Sequence, residues 1–338
     1  MESQFRGRNI VITGGTGAFG NKFVNYLSQH SPARVTVISR DEMKHAAMKR
    51  VCADKTKFPW LHYQIGDICR DDDLDIAFSE ADIVIHAAAM KHLPECEANA
   101  RASNLVNVTG TQNVIKCFQK SKAETLIFLS TDKAPYASSV YGAQKYIGEK
   151  LVTEASNFSK SKRAFNLRYS NVIDSTGAVF LIFANMLQSG KKVTVNGTQT
   201  VRGFVTQAEV ITTLENCMQN MHGGETIVLK PRVIKIAELA TTMKEILAKG
   251  EVEIKETSAF LGEKDNATLI MAEELAITKE FSESEVPSFI LDYNGTHLER
   301  KKANFGFEGA FTLDHCPTIT GNSLKEFLIP VMKSNNMI

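Results

Sequence analysis

The sequence predicts an α/β protein built around a doubly wound parallel sheet. Short apolar runs alternate with helical patterns over the first 170 residues, and a glycine-rich turn directly follows the first apolar run. Strands separated by helical segments are typical of parallel sheets, because each strand needs a crossover before the next can run in the same direction. The pattern becomes less regular near Asn171. We therefore expect one domain over residues 1–170 and a smaller, mainly helical domain over 171–338, with exchange of a strand or helix between them left open.

The elements follow from the local pattern. In the first domain, six apolar runs of strand length predict strands at 9–13, 34–38, 61–65, 83–86, 126–129 and 164–168. The first helix is predicted at 21–28, directly after the glycine-rich turn. In the second domain, helical periodicity predicts helices at 179–188, 209–219 and 236–249, and short apolar runs predict strands at 192–195 and 225–229.

Composition limits the classes of partner. The 338 residues include 39 basic and 38 acidic side chains, for a net charge of +1. This balance argues against a nucleic-acid partner and against a membrane-attracting basic face, and it favours small polar partners. No signal-peptide core is visible, and no apolar stretch approaches the roughly 20 residues of a membrane helix. We expect a soluble, cytoplasmic protein.

The cysteines point the same way. They show neither a CxxC spacing nor the density of a disulfide framework, and they stand at positions 52, 69, 96, 117, 217 and 316. Such cysteines are typical of reduced, mostly buried thiols in a cytoplasmic protein. No metal site is predicted.

The glycine-rich turn is a candidate dinucleotide site. Glycines in the GxxGxxG spacing, between a strand and a helix, allow a tight turn and let backbone N–H groups approach a pyrophosphate. A purely structural turn is the alternative, but the position between strand and helix favours the Rossmann-type cofactor fold. The predicted cofactor contacts here are Gly14, Thr16, Gly17, Ala18, Phe19 and Gly20.

The ends of the next strands supply further cofactor candidates. Arg40 is the first charged residue after the second strand, and a guanidinium favours a 2′-phosphate, so NADP is predicted. NAD stays possible, because Asp41 could reach a ribose, and a solvated charged turn is the structural alternative. The remaining candidates are Ser39 and Lys44 beside Arg40, Asp67 and Ile68 near the adenine, and the small residues Ala87 and Ala88 where the chain passes the cofactor.

The densest chemical signal follows the apolar run 125–129. Thr131, Asp132 and Lys133 emerge at the predicted carboxyl end of a buried strand, where open α/β sheets bind ligands. Tyr141 and Lys145 come next, spaced to share one face of a helix. The cluster therefore combines an acid, a base and a Tyr/Lys pair within sixteen residues. A surface Asp/Lys ion pair and a chance YxxxK are the alternatives.

These motifs together resemble the extended short-chain dehydrogenases/reductases. More narrowly, the chain resembles the nucleotide-sugar 4,6-dehydratases that act on UDP-N-acetylglucosamine. The matching runs are SRDEM at 39–43, AAAMKHLP at 87–94 with Glu97, NVTGTQNVI at 107–115, STDKA at 130–134, RYSNV at 168–172, VRGFV at 201–205, GGE at 223–225 and GEK at 262–264. Lys133 separates this resemblance from one to the related dTDP-glucose and GDP-mannose dehydratases, which have a Glu at the corresponding position.

The resemblance implies a reaction whose demands the residues can meet. The C5 proton of a hexose is not acidic until C4 is oxidised to a ketone. A bound NADP would therefore accept the hydride from C4 and later transfer it to C6. Tyr141 would take the C4 hydroxyl proton, with the Lys145 ammonium lowering its pKa. Lys133 would remove the C5 proton, Asp132 would protonate the departing C6 hydroxyl, and Thr131 would donate to the C4 oxygen.

Candidate substrate residues lie on other segments. Lys91 and His92 follow the fourth strand and could approach the sugar or its diphosphate, or else form a solvated loop. The resemblance places Asn171 near the substrate diphosphate and Arg202 on the nucleotide phosphates. It implies a UDP-linked amino sugar as the substrate and self-association into a homo-oligomer.

Some positions depart from the family pattern. Residues 135–139 replace an NPxN-like turn, and two arginines expected near 174–177 and 260–264 are absent. These changes bear on the identity of the nucleotide, whereas the catalytic strand end is unchanged. Some longer relatives have a Met at the position of Tyr141. The tyrosine here therefore favours the subgroup that also inverts C5. A nucleotide-sugar 4-epimerase or reductase is the alternative enzyme, and a non-catalytic NADP-binding regulator is the alternative from another class.

Overall fold

A computed structural model describes residues 3–158, 161–197, 200–248, 250–257 and 266–338. The GEK run at 262–264 lies outside the described residues, as does Lys249. The helices are α1 Ala18–Leu27, α2 Glu42–Val51, α3 Asp71–Phe78, α4 Leu93–Ala98, α5 Ala100–Asn104, α6 Gly110–Lys120, α7 Val140–Ala155, α8 Val179–Gln188, α9 Gln207–Asn220, α10 Ile236–Leu247 and α11 Gly321–Ser334. A π-helical turn, Leu105–Thr109, joins α5 to α6, and a 3₁₀ helix spans Ala272–Ile277.

Sixteen strands are described. They are β1 Asn9–Thr13, β2 Arg34–Ser39, β3 Leu61–Ile65, β4 Ile83–His86, β5 Thr125–Leu129, β6 Arg163–Arg168, β7 Asn171–Val172, β8 Val193–Asn196, β9 Val201–Val205, β10 Thr226–Leu229, β11 Arg232–Lys235, β12 Ile254–Thr257, β13 Thr268–Ile270, β14 Thr278–Glu280, β15 Ser288–Leu291 and β16 Phe311–Thr312. The predicted strands are all present, within one residue at each end. The predicted helix at 21–28 begins too late, because α1 starts at Ala18, inside the glycine motif.

A nine-stranded sheet organises the molecule, in the order β14-β15-β10-β6-β5-β4-β1-β2-β3. All neighbours from β3 to β10 are parallel, whereas β15 and β14 add antiparallel at the edge. The chain winds outward from β1 to β3 and then returns to place β4 on the other side of β1. The strand order therefore reverses between β1 and β4, which is where such sheets bind ligands. The predicted α/β class with a doubly wound parallel sheet is confirmed.

Both faces of this sheet are buried, as parallel sheets require. Successive residues of β1 point alternately into two cores, one on each face of the sheet. Ile10 and Ile12 belong to the same core as Phe23, and Val11 belongs to the same core as Phe118. A third core joins α8, α10 and α11, and an aromatic core surrounds β13 and β16. In the ranges given above, no helix has the length and apolar character needed to cross a bilayer.

Strands from beyond residue 171 complete the large sheet. β10 pairs with β6, and β15 and β14 follow it outward, so the second half of the chain contributes three of the nine strands. The rest of that half forms smaller sheets, β11-β9-β7, β12-β8 and β13-β16, among four helices. The division into domains at 170/171 stays a prediction. All six cysteines are free thiols, and five of them are buried.

Candidate active site

The site is assembled where four adjacent parallel strands end. β1 leads into Gly14, β4 into Ala87, β5 into Ser130 and β6 into Tyr169. Backbone pairing continues past the strands, because the Asp132 N–H donates to the Tyr169 carbonyl at 3.0 Å. The residues that follow these strands therefore lie along one edge of the sheet, as their sequence positions predict.

The glycine turn forms a cradle that admits no side chain at two points. Gly14 has a φ of +66°, and a Cβ there would lie 2.6 Å from the Ala88 Cα. A Cβ on Gly20 would lie 1.9 Å from the Gly15 carbonyl oxygen, so the helix packs directly on the turn. At the start of α1, Gly17 is the cap residue and offers no side chain to the first N–H groups. Backbone N–H groups at the start of a helix fit the pyrophosphate of a dinucleotide.

The predicted cofactor side chains fall into two groups. Thr16 and Ser39 share a hydroxyl hydrogen bond of 2.9 Å, which ties the glycine turn to the end of β2. Phe19 and Ile68 instead pack into the two cores, where Phe19 stacks on Phe23 and Ile68 lies against Gly110. Their side chains are therefore part of the cores on the two faces of the sheet.

The charged candidates stand at the surface beside β2. Arg40 is 60% exposed and lies 3.7 Å from the Asp67 carboxylate, and Lys44 lies 3.5 Å from Asp41. Asp41 caps α2 by accepting from the Lys44 N–H at 3.0 Å. Both cations are thus held near the glycine turn by weak, solvated pairs that an incoming phosphate can replace.

Asp132 and Lys133 form a partly buried acid/base pair. Asp132 is buried, and its Oδ1 accepts from the Lys133 Nζ at 3.0 Å and from the Thr131 hydroxyl at 3.2 Å. The Lys133 Nζ also donates to the Asn171 Oδ1 at 3.4 Å, while the Asn171 amide donates to the Gly203 carbonyl. The pair differs from the alternative of a surface ion pair, because the Asp132 side chain is 2% exposed and that of Lys133 is 32% exposed.

Tyr141 and Lys145 lie one turn apart on α7. Ser139 caps this helix by accepting from the Gly142 N–H at 3.1 Å. The Lys145 Nζ lies 3.7 Å from the centroid of the Phe128 ring, and burial lowers the pKa of Lys145 to about 7. Burial also raises the pKa of the Tyr141 phenol above its ordinary value, with the carboxylate of Asp132 a lesser contributor. The pair is thus placed in a weakly polar environment in which its protonation depends on what binds beside it.

α7 is pressed against the segment that carries Lys133. A Cβ on Gly142 would lie 2.2 Å from the Lys133 carbonyl oxygen, so only glycine allows this approach. The Glu97 carboxylate of α4 accepts from the Val140 N–H at 2.7 Å and secures the start of the helix. These contacts bring Lys133 and Tyr141 to the same site.

The loop after β4 carries Lys91 and His92 at the surface. Both side chains are exposed, and a Cβ on Gly177 would lie 3.9 Å from the His92 Cε1, which places His92 beside the second half of the chain. The loop is held by Asn107, whose side chain bonds both the N–H and the carbonyl of Met90 at 2.8 and 2.9 Å. Asn107 lies in the π-helical turn Leu105–Thr109.

Arg202 lies on β9, which pairs with β7, the strand that begins at Asn171. Its guanidinium donates to the Val201 carbonyl at 2.8 Å. The substrate candidates therefore lie on two segments, with Lys91 and His92 on the loop after β4 and Asn171 and Arg202 on the paired strands β7 and β9.

The sequence does not predict several contacts near the site, of which those of Gln144 are buried and that of Tyr136 is exposed. Gln144, next to Lys145, accepts from the Asn107 amide at 2.8 Å and donates to the Ser103 hydroxyl at 2.9 Å. Tyr136 bonds to Glu273, 137 positions away in the chain. The only sequence signal for Gln144 and Tyr136 was their position between the catalytic candidates.

A doubly wound parallel sheet with a glycine cradle at its switch point, followed by a Tyr/Lys helix, is the architecture of the extended short-chain dehydrogenases/reductases. Within this class, the chain belongs to the polysaccharide biosynthesis protein family, whose sequence model matches residues 10–287. The resemblance noted from the motifs is confirmed by this match.

Two proteins of named activity and one solved structure are similar to most of the chain. The chain is 33% identical over 281 residues to a UDP-N-acetylglucosamine 4,6-dehydratase (inverting) of Campylobacter jejuni, covering 82% of this chain and 81% of that protein. It is 30% identical over 285 residues to a UDP-glucose 4-epimerase of Rickettsia canadensis, covering 82% of each. Among solved structures, Pen from Bacillus thuringiensis superposes with a TM-score of 0.88 at 30% identity, covering 99% of both chains.

Proposed function

We propose that this protein is a nucleotide-sugar 4,6-dehydratase that converts UDP-N-acetylglucosamine to its 4-keto-6-deoxy product with inversion at C5. The observation that carries the proposal is the 3.0 Å contact between the Lys133 amine and the buried Asp132 carboxylate, on a strand end that faces the Tyr141 helix. An epimerase needs no such acid/base pair beside its Tyr and Lys. The inverting dehydratase from Campylobacter supports the choice of substrate and stereochemistry.

The residues divide the chemistry among them. Tyr141 accepts the proton of the C4 hydroxyl, and the Lys145 ammonium stabilises the phenolate that precedes this transfer. Thr131 donates a hydrogen bond to the C4 oxygen. The chemistry that a bound nicotinamide supplies is the temporary uptake of the C4 hydride and its return to C6. With C4 a ketone, the C5 proton becomes acidic enough for an amine to remove.

Lys133 and Asp132 then carry out the elimination. A proton passed from Lys133 to Asp132 across their 3.0 Å contact leaves a neutral amine and a protonated carboxyl, which are the forms needed. Lys133 takes the C5 proton and releases it to solvent, Asp132 protonates the C6 hydroxyl as it leaves as water, and solvent supplies a proton to the opposite face of C5. The proton that Tyr141 gained replaces the one that Asp132 lost, so the sum is loss of one water.

The test is incubation with UDP-N-acetylglucosamine in deuterated water, followed by NMR. We expect a C6 methyl group and deuterium at C5. Lys133→Ala should lower this rate by about 10²- to 10⁴-fold, the usual contribution of a general base. Lys120→Ala, which removes an exposed lysine of α6, should leave the rate unchanged. Unchanged substrate with the wild-type protein would contradict the proposal.

The competing function is 4-epimerisation, which the Rickettsia relative supports. In the same experiment, an epimerase would interconvert the C4 epimers, retain the C6 oxygen and place no deuterium at C5. A reductase would instead consume the reduced cofactor stoichiometrically, and a cofactor-binding regulator would leave the sugar untouched.

We further propose NADP as the cofactor, because Arg40 directly follows β2 and a guanidinium favours a 2′-phosphate. Calorimetric titration of the ligand-free protein should show that Arg40→Ala weakens NADP binding by about tenfold or more, as expected for a charge-assisted contact, and changes NAD binding by less than about twofold. Arg50→Ala, at the exposed end of α2, is the matched control. Equal losses for both cofactors would instead assign Arg40 to the shared part of the dinucleotide.

A further inference from the structure

The bend between the two catalytic segments is built in an unusual way. Residues 134–139 connect Lys133 to α7, and Tyr136 in this bend has a φ of +43°. A left-handed conformation costs a residue other than glycine of the order of 1 kcal/mol, and a bulky side chain rarely adopts it without compensation. Some contact of Tyr136 must therefore hold the bend in place.

The compensation comes from the second half of the chain. The Tyr136 phenol donates to the Glu273 carboxylate at 2.7 Å and accepts from the Ala272 N–H at 3.1 Å. Both partners begin the 3₁₀ helix Ala272–Ile277. One side chain thus bridges the bend to an element that is more than 130 positions away.

The same 3₁₀ helix is anchored to α7 at a second point. The Glu274 carboxylate accepts from the buried Arg168 guanidinium at 2.9 and 3.0 Å, and Arg168 in turn donates to Glu149 of α7. All three side chains are almost fully buried. Because Glu273 and Glu274 are adjacent, the anchor of the bend is itself held rigidly against the helix that carries Tyr141 and Lys145.

The bend begins directly after Lys133. Its carbonyl oxygen lies against Gly142, and its Nζ is shared between Asp132 and Asn171. A shift of the bend would therefore move the Lys133 backbone relative to α7 while leaving Tyr141 and Lys145 on their helix.

We propose that Tyr136 is a positioning residue that sets the place of the Lys133 amine relative to Tyr141, through its tie to Glu273. The inference rests on the proposed dehydration. It assigns Tyr136 to the proton-transfer half of the reaction, in which Lys133 acts, and not to the oxidation at C4.

The test measures the proton transfer at C5 and the oxidation at C4 separately. Tyr136→Phe removes only the phenol oxygen, and we expect the rate of deuterium incorporation at C5 to fall by about tenfold, as a small misplacement of a catalytic group does. The KM and the appearance of reduced nicotinamide absorbance in a single turnover should change by less than about twofold, because Tyr141 and Lys145 stay in place. Glu273→Ala should reproduce the effect, and Glu273→Gln, which keeps an acceptor oxygen, should restore most of the rate. Tyr146→Phe, a phenol lost from α7 itself, is the matched control.

A second measurement does not depend on turnover. Hydrogen exchange of the amides at 134–139 in the ligand-free protein should be faster in Tyr136→Phe and Glu273→Ala than in the wild type and in Tyr146→Phe. Unchanged exchange and unchanged deuterium incorporation would overturn the inference. Equal losses in C4 oxidation and C5 exchange would also overturn it, since they indicate a general structural role. An inactive wild-type protein would refute the proposed function, and the exchange experiment would still decide whether Tyr136 holds the bend.

Discussion

Lys145 is a cationic side chain placed almost completely out of water. It is 3% exposed, and its amine faces the ring of Phe128. In the part of the chain that the structure describes, no hydrogen bond joins its Nζ to another residue. Burial therefore dominates and lowers the pKa of Lys145 to about 7. A group of this kind can gain or lose its proton near neutrality, which suits a partner of Tyr141.

This pKa shift predicts a pH-dependent stability. In the ligand-free protein, the folded pKa of about 7 lies below the unfolded value of about 10.4, so between these values the unfolded chain binds more protons. Stability contributed by Lys145 then rises with pH across this window, and below it the full cost of burying the charge is felt. Lys145→Met should therefore be more stable than the wild type at about pH 6, and its advantage should shrink by about 1.4 kcal/mol for each pH unit above 7.

Urea unfolding of both proteins at several pH values measures this difference. Lys120→Met, at an exposed position, should show no such trend. An advantage of Lys145→Met that does not vary with pH would contradict a lowered pKa in the folded state.

At the residue scale, the sequence predicts contacts only within short stretches. Asp132 and Lys133 are adjacent, and Tyr141 and Lys145 are one helical turn apart, so their pairing follows from covalent geometry. Asn171 was predicted near a diphosphate, but the structure also places it on Lys133, 38 positions away. That contact depends on β6 lying beside β5, which local spacing does not specify.

At the scale of elements, two glycines of α7 allow the helix to pack closely on the segments beneath it. Gly142 allows the helix to approach the Lys133 carbonyl, and Gly148 allows it to lie on Phe128, whose ring atoms would be 2.6 Å from a Cβ. Glycines in a helix cost stability, so their presence here indicates close packing. The N-cap at Ser139 and the Glu97 contact then set where the helix begins.

Gly142→Ala should displace α7 from the Lys133 segment. The new methyl group would lie 2.2 Å from a backbone oxygen that cannot rotate away, and we expect a loss of about 1–3 kcal/mol in the free energy of unfolding. The measurement is denaturant unfolding of the purified variant. Gly250→Ala, where nothing in the described ranges apart from the chain neighbours lies within 4 Å of the added methyl group, should change stability by less than about 0.5 kcal/mol. Equal effects at both positions would mean that the close approach is unimportant.

Helix boundaries show where local patterns fail. The helical pattern predicts a first helix from residue 21, but α1 begins at Ala18 because Gly20 packs within the turn and extends the helix into the glycine motif. The three residues by which α1 precedes the prediction, Ala18–Gly20, are too few for an apolar period to reveal. The strands were predicted more closely, since buried β-branched runs end where polar residues begin.

At the scale of the whole molecule, a buried ion cluster joins the two halves. Arg168 at the end of β6 pairs with Glu149 of α7 and Glu274 of the 3₁₀ helix, and it also donates to the Leu269 carbonyl. The Arg168 side chain is fully buried. Such a cluster orients its elements only while every charge is paired.

Arg168→Met should be strongly destabilising, because two buried carboxylates lose their counter-charge. We expect a loss of about 3–5 kcal/mol, measured by urea unfolding. Lys325→Met breaks the exposed pair with Glu245 and should cost less than about 1 kcal/mol. Similar small losses for both variants would show that water or rearranged partners compensate the buried cluster.

The sequence by itself determined the class of fold, the glycine cradle, and the order of acid, base, Tyr and Lys. All of these depend on neighbours a few positions apart, because strand alternation, helical spacing and turn chemistry are local properties of the chain. Only the tertiary structure decided that β10, β15 and β14 join the first sheet, that Asn171 meets Lys133, and that Tyr136 and Arg168 reach Glu273 and Glu274. These contacts join residues 38 to 137 positions apart, and they arise because burying apolar surface brings distant segments together regardless of their separation in the chain.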